Sequence, residues 1–183
     1  DYLAGTHSLK TVILPTALPW LRVMLVGSVT DDTNHEAYLN RVASGDLIPQ
    51  MLATARARCD IVVVDTPPGL GTITRAVLEQ SERVLVPLQC EPLALQTTPQ
   101  ILRAIQAIVS QNAGLALDGI LLTMYERGNA ACERTAEYIR QHIPANMMLD
   151  VVVPRSVAVA DAFAAGQPVV LRDPADPAAQ AYV

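Results

Sequence analysis

The chain has 183 residues, of which 51% are hydrophobic and 17% charged, so it is long enough to build a sizeable core. Its net charge of −5 argues against a strongly basic nucleic-acid-binding surface. The three cysteines lie far apart without CxxC spacing, which indicates neither a zinc site nor a disulfide framework. No apolar run approaches the ~20 residues of a membrane span, so we expect no transmembrane segment.

The predicted strands and helices alternate along the chain. In order, we predict a loop over 1–20, a strand at 21–27, helices at 33–44 and 47–58, a strand that ends at Asp65, a helix at 72–81, a strand at 83–88, a helix at 99–111, a strand at 119–124, a helix at 130–142, a strand at 149–153, a helix at 156–165 and a short strand at 169–171. Strands that alternate with helices imply parallel β-α units with right-handed crossovers. We therefore predict one α/β domain over residues 1–183, with an open, mostly parallel sheet and helices on both faces.

The most informative segment is the apolar run 61–64, which leads into Asp65 and a Thr-Pro-Pro-Gly turn. A short apolar run that is closed by turn residues predicts a buried strand of a parallel sheet. The Asp65 carboxylate would then lie at the C-terminal end of a strand, where open α/β sheets bind their ligands. In phosphate-handling proteins, an aspartate at this place serves Mg²⁺ directly or through water. The alternative is that Asp65 only caps the turn.

Four segments, in order, resemble the ParA family of partition ATPases, within the wider ParA/MinD group. The segment Asp-Thr-Pro-Pro-Gly-Leu-Gly at 65–71 resembles the Walker B and switch II segment of that family. The other three are the strand and loop at 86–95, the strand at 119–125, and the Val-Pro-Arg segment at 153–155 with the late segment 166–169. Their shared order and spacing over roughly residues 10–183 are more specific than any one of them.

The resemblance implies a P-loop NTPase-like fold and a Mg²⁺- and ATP-dependent ATPase that acts in plasmid or chromosome partition. It also implies a cytoplasmic, nucleoid-associated homodimer that a DNA-bound partner protein stimulates. By the same resemblance, Asp65 is the catalytic aspartate and orders Mg²⁺ through water. The residues implied to contact the nucleotide are the switch residues Thr66, Pro67, Pro68 and Gly69 and the base-side residues Thr123, Met124, Pro154 and Arg155.

Several positions leave room for a simpler interpretation or depart from the family. Pro154 can be a proline that stops a strand, and Arg155 can be an arginine in solvent. Family members often carry Arg where this chain has Ala158 and Lys where it has Gln167. Because non-specific DNA binding depends on cations that neutralise phosphates, these two departures and the acidic charge weaken that inference.

A phosphate-binding P-loop is not recognisable in these residues. It needs glycines and a lysine, yet Lys10 is the single lysine and has no glycine beside it. From this, from the start at Asp1 without Met and from the helix-like last residues, we expect a fragment that is truncated at both ends, lacks the P-loop strand and helix, and is inactive alone. Two alternatives stay open. One is a MinD-like or cellulose-synthesis-associated positioning ATPase, and the other is a non-enzymatic dimerising module with a degenerate nucleotide site.

Overall fold

A computed structural model describes residues 7–25, 42, 45–112 and 114–183. The chain divides into two compact units, Asp1–Ser81 and Glu82–Val183, and each is described by itself. The helix expected at 33–44 lies outside the described residues, except for Val42. The single domain over residues 1–183 stays a prediction.

The first unit contains three helices and a small antiparallel hairpin among its described residues. The elements are α1 (Leu9–Val12), β1 (Ile13–Pro15), β2 (Arg22–Met24), α2 (Leu47–Arg56) and α3 (Thr72–Glu79). Strand β1 pairs with β2 from Ile13 opposite Met24 to Pro15 opposite Arg22, so β2 lies within the strand expected at 21–27. The core of this unit consists of apolar side chains from α2, α3 and their neighbours, namely Val42, Ile48, Met51, Leu52 and Val77.

The strand that was expected to end at Asp65 is not formed, and this prediction is wrong. Residues 61–67 pair with no strand among the described residues. Ile61 and Val63 are 81% and 87% exposed, whereas Val64 packs against the core of the first unit. Four β-branched residues fit a strand locally, but a strand also needs a neighbouring strand to pair with, and residues 61–64 pair with none in the described part of the chain.

The second unit is built on a parallel sheet of three strands in the order β3-β4-β5. The strands are β3 (Arg83–Gln89), β4 (Ala116–Tyr125) and β5 (Met148–Pro154). The helices are α4 (Pro92–Gln111), α5 (Ala130–His142), α6 (Val157–Ala164), α7 (Val169–Arg172) and α8 (Pro177–Ala181), with a 3₁₀ turn at Ala145–Met147. Gln89 lies opposite Thr123 and Tyr125 lies opposite Pro154, so the carboxyl ends of all three strands reach one edge.

Helices cover both faces of this sheet, because successive side chains of a strand point to opposite faces. On one face, side chains of β3 and β4 pack against α4 and α5, including Val86, Leu88, Ile120, Leu122, Leu102 and Ile139. On the other face, Leu121 and Val153 pack against Ala178 of α8 and Val159 of α6. The second unit therefore confirms the predicted parallel α/β sheet with helices on both faces.

Two elements differ from the prediction for clear physical reasons, one in where it begins and the other in its type. Helix α4 begins at Pro92 rather than 99, because Pro92 occupies the first turn and Pro99 is accommodated inside the helix. The strand expected at 169–171 is wrong, since these residues form α7. The amides of Leu171 and Arg172 donate to the Pro168 carbonyl, and Val169 is buried beside Ala162 and Ala179. Within the described ranges, no helix combines the length and apolar character needed to cross a membrane.

Candidate functional site

The first group of predicted site residues forms an exposed turn in the first unit. Asp65 is exposed and Thr66 is half-buried. The buried hydroxyl of Thr74, in the first turn of α3, donates to the Pro67 carbonyl at 3.3 Å. The guanidinium of Arg75 donates to the Leu70 carbonyl at 3.0 Å. Two side chains of one helix thus hold the backbone that follows Asp65, while the carboxylate itself stays accessible.

Two glycines in this turn have empty space where the Cβ of another residue would lie. Gly69 has φ +81, a left-handed conformation that favours glycine, and no atom lies within 4 Å of the place where its Cβ would be. At Gly71, which precedes the first residue of α3, the place of a Cβ likewise has no atom within 4 Å. The first amides of a helix attract anions. The backbone is therefore uncovered at both glycines.

The donor set at this turn fits a magnesium ion only when other ligands accompany it. Among the described residues, no group of three or more His, Cys, Asp or Glu side chains is placed to hold a metal. Mg²⁺ commonly keeps several waters and binds one or two carboxylates together with substrate phosphates. Asp65 alone suits a Mg²⁺ ion that is also bound by waters and phosphates. It does not suit a metal that is held by protein side chains only.

The second group of predicted residues lies together at the carboxyl edge of the parallel sheet in the second unit. Thr123 and Met124 are close to the end of β4, and Pro154 ends β5. The amide of Arg155 donates to the Tyr125 carbonyl at 2.9 Å, which continues the pairing of the two strands by one residue. These four residues are thus brought to one edge. Asp65 and the turn 66–69 belong to the other unit.

Met124 has an unusual backbone conformation at this edge. Its φ of +55 is left-handed, which costs a residue with a Cβ about 1–2 kcal/mol. The neighbouring backbone is fixed on both sides. The amide of Cys90 donates to the Thr123 carbonyl at 2.9 Å, and the amide of Glu126 donates to the Cys132 thiol sulfur at 3.2 Å. Strained residues of this kind concentrate at ligand sites, and the exposed thioether is suited to pack on an aromatic ring.

Arg155 is not an isolated arginine in solvent, because two carboxylates bind it. Its Nη2 lies 2.9 Å from Oε1 of Glu91, and its Nε lies 2.5 Å from Oε1 of Glu126. Glu91 follows β3 and Glu126 follows β4, just as Arg155 follows β5. Neither glutamate was predicted as a site residue from the sequence. Their signal was a charged residue within two positions of the end of each strand, at the edge where parallel strands bind ligands.

Cys90 lies close to this edge but has no reactive character. It is 2% exposed, and burial, together with the neighbouring Cys132 thiol, raises its pKa to about 12 despite the opposing charge of Arg140. A thiol that stays protonated at neutral pH is a poor nucleophile. Cys90 therefore serves the packing of the loop after β3.

Known proteins resemble this chain over most or all of its length. The family model described as an AAA domain matches residues 1–117. The chromosome partitioning protein ParA of Caulobacter vibrioides is 38% identical over 187 aligned positions, which cover 100% of this chain and 69% of that protein.

Solved structures of other proteins share the fold. The septum site-determining protein MinD of Pyrococcus horikoshii, complexed with Mg-ADP, superposes with a TM-score of 0.70 at 21% identity and covers 100% of this chain and 68% of its own. Cobyrinic acid a,c-diamide synthase of Mycobacterium smegmatis, with a bound ATP analogue and magnesium, gives a TM-score of 0.71 at 25% identity and covers 99% of this chain and 66% of its own. The chain therefore has an α/β fold of the P-loop NTPase type.

Proposed function

The chain belongs to the ParA family of partition ATPases, and from this premise we propose that it is part of a Mg²⁺- and ATP-dependent ATPase that acts in chromosome or plasmid partition. The observation that carries the proposal is the turn after Asp65. It combines an accessible carboxylate, two prolines that stiffen the backbone, and a left-handed glycine beside open space. These features suit a segment that meets a magnesium-bound phosphate group.

In this proposal, Asp65 is the catalytic aspartate and orders Mg²⁺ through water. A bound Mg²⁺ would neutralise charge on the phosphates. The turn Thr66, Pro67, Pro68 and Gly69 senses the terminal phosphate through its backbone, which Thr74 and Arg75 hold in place from α3. Lys10 is the single lysine and has no glycine beside it, so we expect these 183 residues to release phosphate from ATP no faster than a blank.

The residues at the carboxyl edge of β4 and β5 take the nucleoside side of the proposal. Met124 offers an exposed thioether, and Pro154 offers a rigid apolar ring at the end of β5. Thr123 is fixed by a hydrogen bond from its hydroxyl to the Leu88 carbonyl at 3.3 Å. Apolar walls with a few fixed polar groups are typical of sites that bind a base. Arg155 completes this set.

The assembly and the partners are also proposed from the family. We expect a cytoplasmic homodimer that is stimulated by a DNA-bound partition partner and associates with the nucleoid. Direct non-specific binding to DNA is weakened by the net charge of −5 and by Ala158 and Gln167, where cations are usual in the family. A MinD-like positioning role is less well supported, because 21% identity to MinD reflects the fold alone while ParA is 38% identical.

A nucleotide titration followed by NMR tests the role of Asp65, because it detects weak binding. We expect Mg²⁺ to strengthen the affinity of the wild-type chain for ADP, and we expect D65N to abolish this dependence because the neutral amide no longer attracts the hydrated ion. Asp60 is exposed, lies on the same segment and supplies the matched control D60N, which should behave like the wild type. Equal Mg²⁺ dependence in D65N and D60N would contradict the proposal.

A further inference from the structure

Three charged side chains meet where the three parallel strands end. The guanidinium of Arg155, after β5, lies between Glu91, after β3, and Glu126, after β4, at 2.9 Å and 2.5 Å respectively. We call these three residues the edge triad. About half of each side chain is buried, so water screens the ion pairs only in part.

Each residue of the edge triad makes a hydrogen bond through its own backbone amide or carbonyl. The amide of Arg155 donates to Tyr125, and the amide of Glu126 donates to the Cys132 sulfur. The carbonyl of Glu91 accepts from Ala94 in the first turn of α4 at 2.9 Å. The three side chains therefore start from defined positions, which lowers the entropic cost of holding them together.

A further contact fixes the carboxylate of Glu126. Its Oε2 accepts a hydrogen bond from the Asn129 side-chain amide at 2.8 Å. The oxygen of that same amide caps α5 by accepting from the backbone amides of Ala131 and Cys132 at 3.1 Å and 3.3 Å. Asn129, which caps α5, thus orients the Glu126 carboxylate through Oε2, and Oε1 binds the guanidinium of Arg155.

The two carboxylates occupy one edge of the guanidinium. Nε and Nη2 lie on the same edge of the planar group and take both glutamates, while Nη1 has no hydrogen-bond partner among the described residues. A long arginine side chain in solvent samples many rotamers, and a side chain held by two acceptors keeps one. The held edge therefore fixes the plane of Arg155, and neither glutamate occupies Nη1 of this half-exposed side chain.

We propose that Glu91 and Glu126 are positioning residues that hold Arg155 in its binding orientation for the nucleoside part of a nucleotide. This inference rests on the proposed function of Arg155. The glutamates act through the arginine and do not themselves contact the ligand, so their effect on affinity depends on the arginine being present.

A double-mutant cycle on the affinity for Mg·ADP tests this inference. We expect the variant E91Q/E126Q to bind Mg·ADP about tenfold more weakly than the wild type, since two part-exposed ion pairs are lost. In the R155A background, the same two substitutions should change the affinity less than twofold. The control E137Q, on an exposed turn of α5, should leave the affinity unchanged.

A second readout follows Arg155 directly. The Nε–H resonance of Arg155 should be protected from solvent exchange in the wild type and in E137Q, and exchange-broadened in E91Q/E126Q. The inference is overturned if E91Q/E126Q abolishes binding in both the wild-type and the R155A background, or if E91Q/E126Q binds as tightly as the wild type. It is also overturned if the Nε–H of the wild type is not protected. Each of these results leaves the proposed function intact. If the wild type fails to bind Mg·ADP, the proposed function fails and the inference fails with it.

Discussion

Gly69 shows how much a single backbone angle matters in the turn after Asp65. At φ +81 any residue with a Cβ is strained, although no atom stands within 4 Å to clash with one. We expect Gly69→Ala to lower the free energy of unfolding by about 1 kcal/mol through strain alone. Urea denaturation of the two proteins measures the difference.

Gly71 provides the matched control for that substitution. It has the same open space but a φ of −66, which alanine adopts freely. Gly71→Ala should therefore be neutral or slightly stabilising, because alanine reduces the freedom of the unfolded chain. If both substitutions lower the free energy of unfolding equally, the left-handed conformation of Gly69 is not the cause of the loss.

Arg155 illustrates what can be read from sequence at the residue scale and what cannot. Its place after a buried strand and the resemblance to a family were enough to select it as a candidate. Its partners were missed, because Glu91 and Glu126 are 64 and 29 residues away in the chain, and a lone charged residue after a strand does not show which charge it will meet. Which charged residues meet at the strand ends depends on how β3, β4 and β5 are aligned with one another.

At the scale of elements, local patterns were reliable wherever local interactions decide the structure. Helix α5 has the predicted bounds 130–142, since Asn129 caps its first turn and apolar residues recur on one face. The strands at 83–88, 119–124 and 149–153 are also confirmed, with longer ends. In contrast, 61–64 and 169–171 have the composition of strands but form none among the described residues, because pairing with a distant neighbour decides that outcome.

The unpaired segment 61–64 gives a test at the element scale. Val63 is 87% exposed, whereas Val64 packs against the core of the first unit. We expect Val64→Ala to lower the free energy of unfolding by about 1 kcal/mol and Val63→Ala to change it by less than about 0.5 kcal/mol. Urea denaturation measures both. Equal losses would show that the segment is buried on both sides, as in a central strand.

At the scale of the whole molecule, the fold class was predictable and the division into units was not. Alternating strands and helices specify a parallel α/β sheet, and the second unit has that sheet with helices on both faces. The two compact units follow from how residues far apart in the chain pack, which composition and periodicity do not encode. The candidate site was likewise predicted as segments, while the geometry of the edge triad required the structure.

The central claim is that the turn after Asp65 meets a magnesium-bound nucleotide. Mn²⁺ replaces Mg²⁺ in many nucleotide sites and broadens the NMR signals of nearby amides, so it reports the position of the metal directly. With ADP present, Mn²⁺ should broaden the backbone amides of Thr66, Gly69, Leu70 and Gly71 in the wild-type chain. The broadening should require ADP and should be lost in D65N. Broadening that spares these four amides, or that persists in D65N, would contradict the account.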